Sequence, residues 1–338
     1  MTMRHILLGS TALLGLGLAV APAPAFAQAE PAVVKPSGAL DINLAGFVRF
    51  EVNLAEDDFI DRGYAFETDS EFHVNARGST ESGIQYGATI EFEADEFQTN
   101  NVDETWIFFR GGWGEIRAGD EDGAADNMKV ISSSVAAGTG GLDGDLINLG
   151  PQVGPTNSSD ATKIIYYSPT IAGFRVGVSF TPDSGSRGNI SPEDNGNVEN
   201  WVEAGLTWGG DFGGFNILAG AVGSFGSGED GGGEDVSSIH GGVKVGFGGF
   251  NVAGHIGHDD NGVETDYFGV GVGYGFGPLN VSAEYGYADP DGGDDVSFYV
   301  VSADMGIMQG VALRGDVGYS DSDAVDGVAG VLRVDVAF

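Results

Sequence analysis

Apolar and polar residues alternate with a period of two along almost the whole chain after residue 40. In one stretch, apolar residues from Ile84 to Phe92 alternate with polar neighbours such as Gln85 and Glu91. This period places one residue type on each face of an extended strand, whereas an amphipathic helix needs a period near 3.6. Because the mature part of the chain shows no convincing helical stripe, it is predicted to be all-β.

Sixteen segments carry this alternation, joined by fifteen connections that alternate between short and long. The predicted strands span 40–52, 66–77, 84–93, 104–110, 115–118, 162–167, 174–180, 201–208, 215–223, 237–247, 250–257, 267–276, 279–287, 296–305, 311–319 and 328–338. The eight long connections hold 33 Asp and Glu residues, and the seven short ones hold two. Strict alternation puts all long loops on one side of an antiparallel meander.

A meander of this size leaves two unpaired edges unless it closes, and closure of sixteen strands encloses a wide lumen. An apolar outer face, a polar inner face, short turns on one side and long loops on the other are typical of outer-membrane barrels. The sequence therefore predicts a sixteen-stranded antiparallel transmembrane β-barrel with long acidic external loops and short periplasmic turns. A secreted soluble β-protein is the alternative.

The N-terminal segment indicates that the protein is exported, and the net charge indicates which partners it can bind. Residues 1–27 combine Arg4, an apolar run and an Ala-Phe-Ala cleavage site, which predicts a removed signal peptide and a barrel domain over 28–338. The chain has no cysteine, and 50 Asp and Glu residues against 14 Lys and Arg give a net charge of −36. Such a polyanion excludes nucleic acid as a plausible partner and favours cations.

At this point the chain resembles the trimeric general porins of Gram-negative outer membranes, most closely the alphaproteobacterial type. The most specific matches are WGEIRAGDEDG at 113–123, TKIIYYSPTIAGFRVGVSFTPD at 162–183 and the closing strand that ends at Phe338. The resemblance implies a homotrimer in contact with outer-membrane lipid and lipopolysaccharide. It also implies that Phe338 is read by the barrel-assembly machinery and that the third long loop folds inward.

That loop is the connection 119–161, the longest between predicted strands, and long loops are usually functional. Its candidate acids are Asp120, Glu121, Asp122, Asp126, Asp143 and Asp145. The residues alone leave open an extracellular flap with solvated acids or a loop packed inside the lumen. The resemblance implies the second, a constriction loop. Since carboxylate oxygens suit calcium, Asp120, Asp122 and Asp126 are candidates for a structural calcium site, although no cofactor is required.

Strand alternation assigns a set of basic residues to the lumen. These are Arg49, His73, Arg77, Arg110, Arg117, Lys163, Arg314 and Arg333. Facing an acidic inward loop, they would create a transverse field that selects solutes by charge. The alternative is that they pair with neighbouring carboxylates and merely fill the lumen. Relatives commonly carry a basic residue where this chain has Asp120, and this departure favours a cation-preferring pore.

The predicted function is passive diffusion of small hydrophilic solutes and ions across the outer membrane, not catalysis. The chain has no Gly-x-Ser-x-Gly elbow and few histidines, so a membrane-embedded hydrolase has little support. A structural or adhesive barrel, whose loops matter more than its lumen, is the other alternative.

Overall fold

The computed structural model describes residues 33–34, 40–56, 63–94, 101–140, 154–185, 188, 196–230, 233–322 and 326–338. The predicted signal peptide lies outside these residues. Among the described residues, none of the helices has both the length and the apolar character needed to cross a membrane.

Among the described residues, sixteen antiparallel strands form the barrel, as predicted. They are β1 (Asp41–Glu56), β2 (Tyr64–Ser79), β3 (Gln85–Glu93), β4 (Val102–Gly111), β5 (Gly114–Asp120), β6 (Thr162–Tyr167), β7 (Phe174–Asp183), β8 (Val198–Phe212), β9 (Phe215–Gly228), β10 (Val236–Phe247), β11 (Phe250–Asp260), β12 (Glu264–Phe276), β13 (Leu279–Pro290), β14 (Val296–Met308), β15 (Val311–Ser322) and β16 (Gly327–Ala337). A further short strand, Val33–Val34, pairs with the start of β1.

Each strand pairs with the next, and β16 pairs with β1, so the sheet closes into a barrel. Leu332 of β16 lies opposite Val52 of β1, and two hydrogen bonds of 3.0 Å join the backbones of Phe338 and Gly46. Closure satisfies the edges that an open meander would leave exposed. The prediction of a closed sixteen-stranded barrel is confirmed.

Several strands extend further than the sequence predicts. β1 reaches Glu56 and β2 begins at Tyr64, so Glu56, which the alternation assigns to a loop, lies on a strand instead. Alternation of apolar residues stops where a strand leaves the apolar layer, although backbone pairing continues. β14 runs in regular register through Val300 and Val301, and its register shifts only between Gly306 and Met308.

The two faces of the sheet differ as predicted. On β12, Phe268, Val270 and Val272 are exposed on the outer face, whereas Tyr267 is buried on the inner face. At the short-turn ends of the strands, outward-facing aromatic rings stack in pairs. The ring centroids are 4.4 Å apart for Phe215 and Phe247. Aromatic rings at the edge of an apolar band are typical of the membrane interface of a barrel.

The motif Phe-Gly-Gly-Phe occurs at 212–215 and at 247–250, and each copy forms one of the short turns. The φ angles are 62° and 95° at Gly213 and Gly214, and 56° and 91° at Gly248 and Gly249. Two successive residues with positive φ define the type I′ turn, whose twist matches that of a two-residue hairpin. Glycine adopts this conformation without a steric penalty.

Candidate functional site

The connection between β5 and β6, residues 121–161, is named the inner loop here. It contains a short helix, α1 (Ala124–Met128), and a 3₁₀ turn at Ser132–Val135. Its described residues contact the polar faces of strands from β8 to β15. Because one continuous segment can reach the polar faces of so many strands only from within the ring, the inner loop lies inside the barrel.

Apolar packing holds the start of the inner loop. Ala125 and Met128 of α1 form a buried cluster with Ile165 and Tyr167 of β6 and Val222 of β9. These three strand residues are apolar or aromatic and face inward, although the lumen of a barrel is usually polar. They therefore mark the part of the wall that the loop covers.

Glu203 of β8 binds both ends of the inner loop. Its side chain is fully buried. The N–H of Ala125 donates to Oε2 at 2.8 Å, and both the N–H and the hydroxyl of Ser158 donate to Oε1 at 2.8 and 2.6 Å. Hydrogen bonds to a charged acceptor are stronger than neutral ones, so one carboxylate fixes the separation of the two ends.

Two histidines and a lysine hold the middle of the loop. His240 of β10 contacts the carbonyl oxygen of Val130 through Nε2 at 3.0 Å, and Nδ1 of His255 on β11 accepts the N–H of Ser132 at 2.9 Å. Lys244 donates to the carbonyl oxygen of Ser134 at 2.6 Å. Each bond satisfies a loop backbone group that the strands would otherwise leave without a partner.

Acidic side chains on β14 and β15 hold the turn of the inner loop at Gly138 and Thr139. The N–H of Gly138 donates to Asp304 at 3.2 Å, and the N–H and hydroxyl of Thr139 donate to Asp316 at 3.0 and 2.6 Å. Arg314 donates to the carbonyl oxygen of Gly138 at 2.8 Å and also pairs with Asp335. Residues 121–140 of the inner loop thus cross the lumen from β5 to β15 with polar contacts to the wall.

A row of inward glycines gives the loop room to lie against the wall. A Cβ atom built at Gly242 would lie 1.9 Å from the carbonyl oxygen of Val130, and one at Gly271 would lie 2.6 Å from that of Ser132. Cβ atoms at Gly177 and Gly205 would collide with Met128. The groove along these positions explains part of the high glycine content, 59 residues, of the chain.

Most of the basic residues predicted for the wall have carboxylate partners. Arg49 pairs with Asp69 at 2.6 Å, and Arg333 pairs with Glu51. Arg77, at the short-turn end of β2, is exposed.

The basic residues beside the loop entrance are paired in the same way. Arg117 pairs with Glu115 at 2.7 Å and with Glu121 at 2.5 Å. Arg110 shares Glu115 at 2.7 Å, and the buried Lys163 donates to the backbone carbonyls of Glu121 and Ser159. Pairing of this kind satisfies charges removed from bulk water.

Four of the predicted loop acids, Asp120, Glu121, Asp122 and Asp126, lie at the entrance of the inner loop. Asp120 accepts hydrogen bonds from Thr162 at 2.5 Å and Gly188 at 3.0 Å. Asp126 pairs with Lys129 and accepts from Asn157 at 3.1 Å. Burial raises the pKa of Glu121 to about 6, although the ion pair with Arg117 opposes that rise. Asp143 and Asp145 lie outside the described residues.

The three acids proposed for calcium have separate environments. The carboxylate oxygens of Asp122, Glu104 and Asp160 lie within 4.8 Å of one another, so Asp122 belongs to a cluster with Glu104 of β4 and with Asp160 at the other end of the inner loop. Asp120 and Asp126 have the partners described above. Sequence spacing alone does not indicate that Glu104, which lies on β4, belongs to this carboxylate cluster.

β16 and β1 to β3 complete the ring on the other side of the lumen. Among the described inward residues of these strands, carboxylates outnumber cationic groups. The carboxylates are Asp41, Glu51, Glu67, Asp69, Glu71, Glu91, Glu93 and Asp335, and the cationic groups are Arg49, Arg77, Arg333 and the ionisable His73. The wall is thus mixed in charge with an acidic excess.

A closed barrel with an apolar outer face, a charged lumen and a loop anchored across its interior defines the class of outer-membrane channel-type barrels. A family model described as Gram-negative porin matches residues 10–325. This chain belongs to the Gram-negative porin family.

Solved structures of similar fold support this assignment. An anion-selective porin from Comamonas acidovorans has a TM-score of 0.65 and 17% identity, with 88% of this chain and 100% of that chain covered. A mutant of Rh. blastica porin has a TM-score of 0.66 and 18% identity over the same shares. At this level of identity the likeness concerns the fold.

Among curated sequences, an uncharacterized protein of Rickettsia conorii is 23% identical over 214 residues, 52% of this chain and 49% of that protein. A second, from Rickettsia felis, is 24% identical over 211 residues, 51% of this chain and 48% of that protein. The chain therefore spans about half the length of the curated relatives it matches.

Proposed function

We propose that this protein is a passive diffusion channel for small hydrophilic solutes and ions across the outer membrane, and that it prefers cations. The observation that carries the proposal is the inner loop, anchored along one side of a charged lumen. A loop that only obstructed the lumen would not need dedicated anchors on strands from β8 to β15. A rigid constriction needs them, because its width depends on the position of the loop.

The acidic excess on β16 and β1 to β3 supports the cation preference. Rows of like charge raise the local concentration of counter-ions in a narrow, low-dielectric passage. Arg49 and Arg333 of this wall are paired with carboxylates, which reduces their attraction for anions. Asp120 stands where relatives commonly carry a basic residue, and this difference also favours cations.

The zero-current potential across a planar bilayer with a KCl gradient tests this preference. We expect a permeability ratio of K⁺ to Cl⁻ above unity at neutral pH and low salt, decreasing as salt screens the wall. Glu67→Gln removes an inward carboxylate and should lower the ratio, whereas Asp211→Asn at the short-turn end of β8 should leave it nearly unchanged. A ratio below unity in the unsubstituted protein would contradict the proposal.

The assembly partners follow from the family resemblance and belong to the same proposal. They are a homotrimer, outer-membrane lipid and lipopolysaccharide, and the barrel-assembly machinery that reads Phe338. The exposed apolar side chains of the outer face, such as Val334 and Val336 near Phe338, are suited to lipid or to a neighbouring subunit. A structural calcium ion at the entrance of the inner loop stays a prediction.

A further inference from the structure

His73 lies between two carboxylates on the lumen wall opposite the inner loop. Glu71 and His73 are two residues apart on the inward face of β2, and Glu91 of β3 lies directly across from His73 in the strand register. One ligand atom from each of the three side chains lies within 4.8 Å of the others. The backbone pairing of two adjacent strands therefore fixes the arrangement.

The imidazole nitrogen that faces the carboxylates is buried. His73 Nε2 lies 2.5 Å from Glu71 Oε1 and 3.6 Å from Glu91 Oε2. A ring nitrogen that faces two carboxylate oxygens can share either a proton or a metal cation with them.

The donor set identifies the class of cation. One imidazole nitrogen and two carboxylate oxygens suit zinc and similar divalent transition metals, whereas calcium and magnesium prefer oxygen ligands alone. Zinc bonds of about 2.0–2.2 Å in a tetrahedron place ligand atoms roughly 3.4 Å apart. The distance from His73 to Glu91 already matches this value, and a rotation of the Glu71 side chain would bring the third ligand to it.

The position of the cluster makes it accessible to ions in the lumen. The side chains of His73, Glu71 and Glu91 keep 20%, 13% and 17% of their surface exposed, so the cluster is partly open to the lumen. Arg49, the nearest cationic group on β1, is bound to Asp69. Two carboxylates beside one imidazole give the cluster a net negative potential.

We propose that Glu71, His73 and Glu91 form a binding site for a divalent transition-metal cation of the zinc class in the lumen wall. Metal binding itself does not depend on the channel function, whereas its effect on ion flow rests on the proposed function. A bound cation there would lie in the path of permeating ions and reduce their flow.

Titration of the purified, detergent-solubilised barrel with zinc tests the site directly. Calorimetry should give one zinc ion per chain, and calcium or magnesium in excess should not compete. His73→Gln and Glu91→Gln should each weaken binding by at least about tenfold. His258→Gln is the matched control, because His258 is an exposed histidine that pairs with Asp266 at 2.8 Å at the loop end of β11.

Circular dichroism and heat-dependent migration on gels verify that each variant is folded. Binding that is unchanged in folded His73→Gln, or no stoichiometric binding by the unsubstituted protein, would overturn the proposal and leave only a histidine–carboxylate ion pair. Zinc should also reduce the conductance of the unsubstituted channel and not that of His73→Gln. If the protein conducted no ions at all, the titration would still decide the metal site separately.

Discussion

Replacing Gly242 with valine is expected to reduce the single-channel conductance to roughly half or less, because a packed interior has no room for the added atoms. The Cβ atom alone would lie 1.9 Å from the carbonyl oxygen of Val130. The strand cannot move outward without breaking its pairing with β9 and β11. The inner loop must therefore leave the wall and enter the open part of the lumen.

Gly241→Val is the matched control. It is the neighbouring residue on the same strand and faces outward, and the nearest atom to a Cβ built there is 3.8 Å away. Both variants add the same side chain at adjacent positions. A difference in conductance between them is therefore due to the inward position of the added side chain. Equal conductance in the two folded variants would show that the groove does not position the loop.

Substitution of Glu203 by alanine is expected to release both ends of the inner loop while the barrel stays closed. The change leaves the N–H groups of Ala125 and Ser158 and the Ser158 hydroxyl without their acceptor. Each buried polar group that loses its partner costs roughly 1–3 kcal/mol. Local opening of the loop should become at least about 100-fold more frequent, since each 1.4 kcal/mol is a factor of ten.

Hydrogen exchange of the backbone amides of 124–140 measures this opening. Glu203→Gln keeps one acceptor oxygen and should give an intermediate effect, while amides of β12 to β14 serve as an internal reference for barrel stability. Protection of the loop amides that stays the same in Glu203→Ala would mean that the apolar cluster around Met128 alone holds the loop.

The sequence predicts the barrel well because strand periodicity and loop polarity are local signals. VGVGYGF in β12 alternates outward apolar residues with inward glycines, and VLRVDVAF in β16 places Arg333 and Asp335 inward exactly two residues apart. Such patterns depend only on which face of a strand meets lipid. Strand ends were less predictable, because pairing at Glu56 and Tyr64 continues beyond the apolar layer.

The inner loop's anchors could not be derived from the sequence in the same way. Glu203, His255 and Asp316 are separated from their loop partners by 45 to 177 residues, and the sequence around each of them does not indicate which loop residue it contacts. One local signal was present: inward glycines at alternate positions of β12 mark a wall with space for another segment. Interpreted in this way, the glycine pattern predicts which side of the lumen the loop follows.

Shortening the inner loop tests most directly the claim that it narrows a water-filled lumen. Glu203 holds Ala125 and Ser158 close together, so a short Gly-Ser linker can replace the residues between them without straining β5 or β6. Single-channel recording in a planar bilayer should then show a stable, ohmic conductance for the full-length protein and a several-fold larger one for the shortened variant. Equal conductance of the two folded proteins, or no conductance in either, would contradict the account.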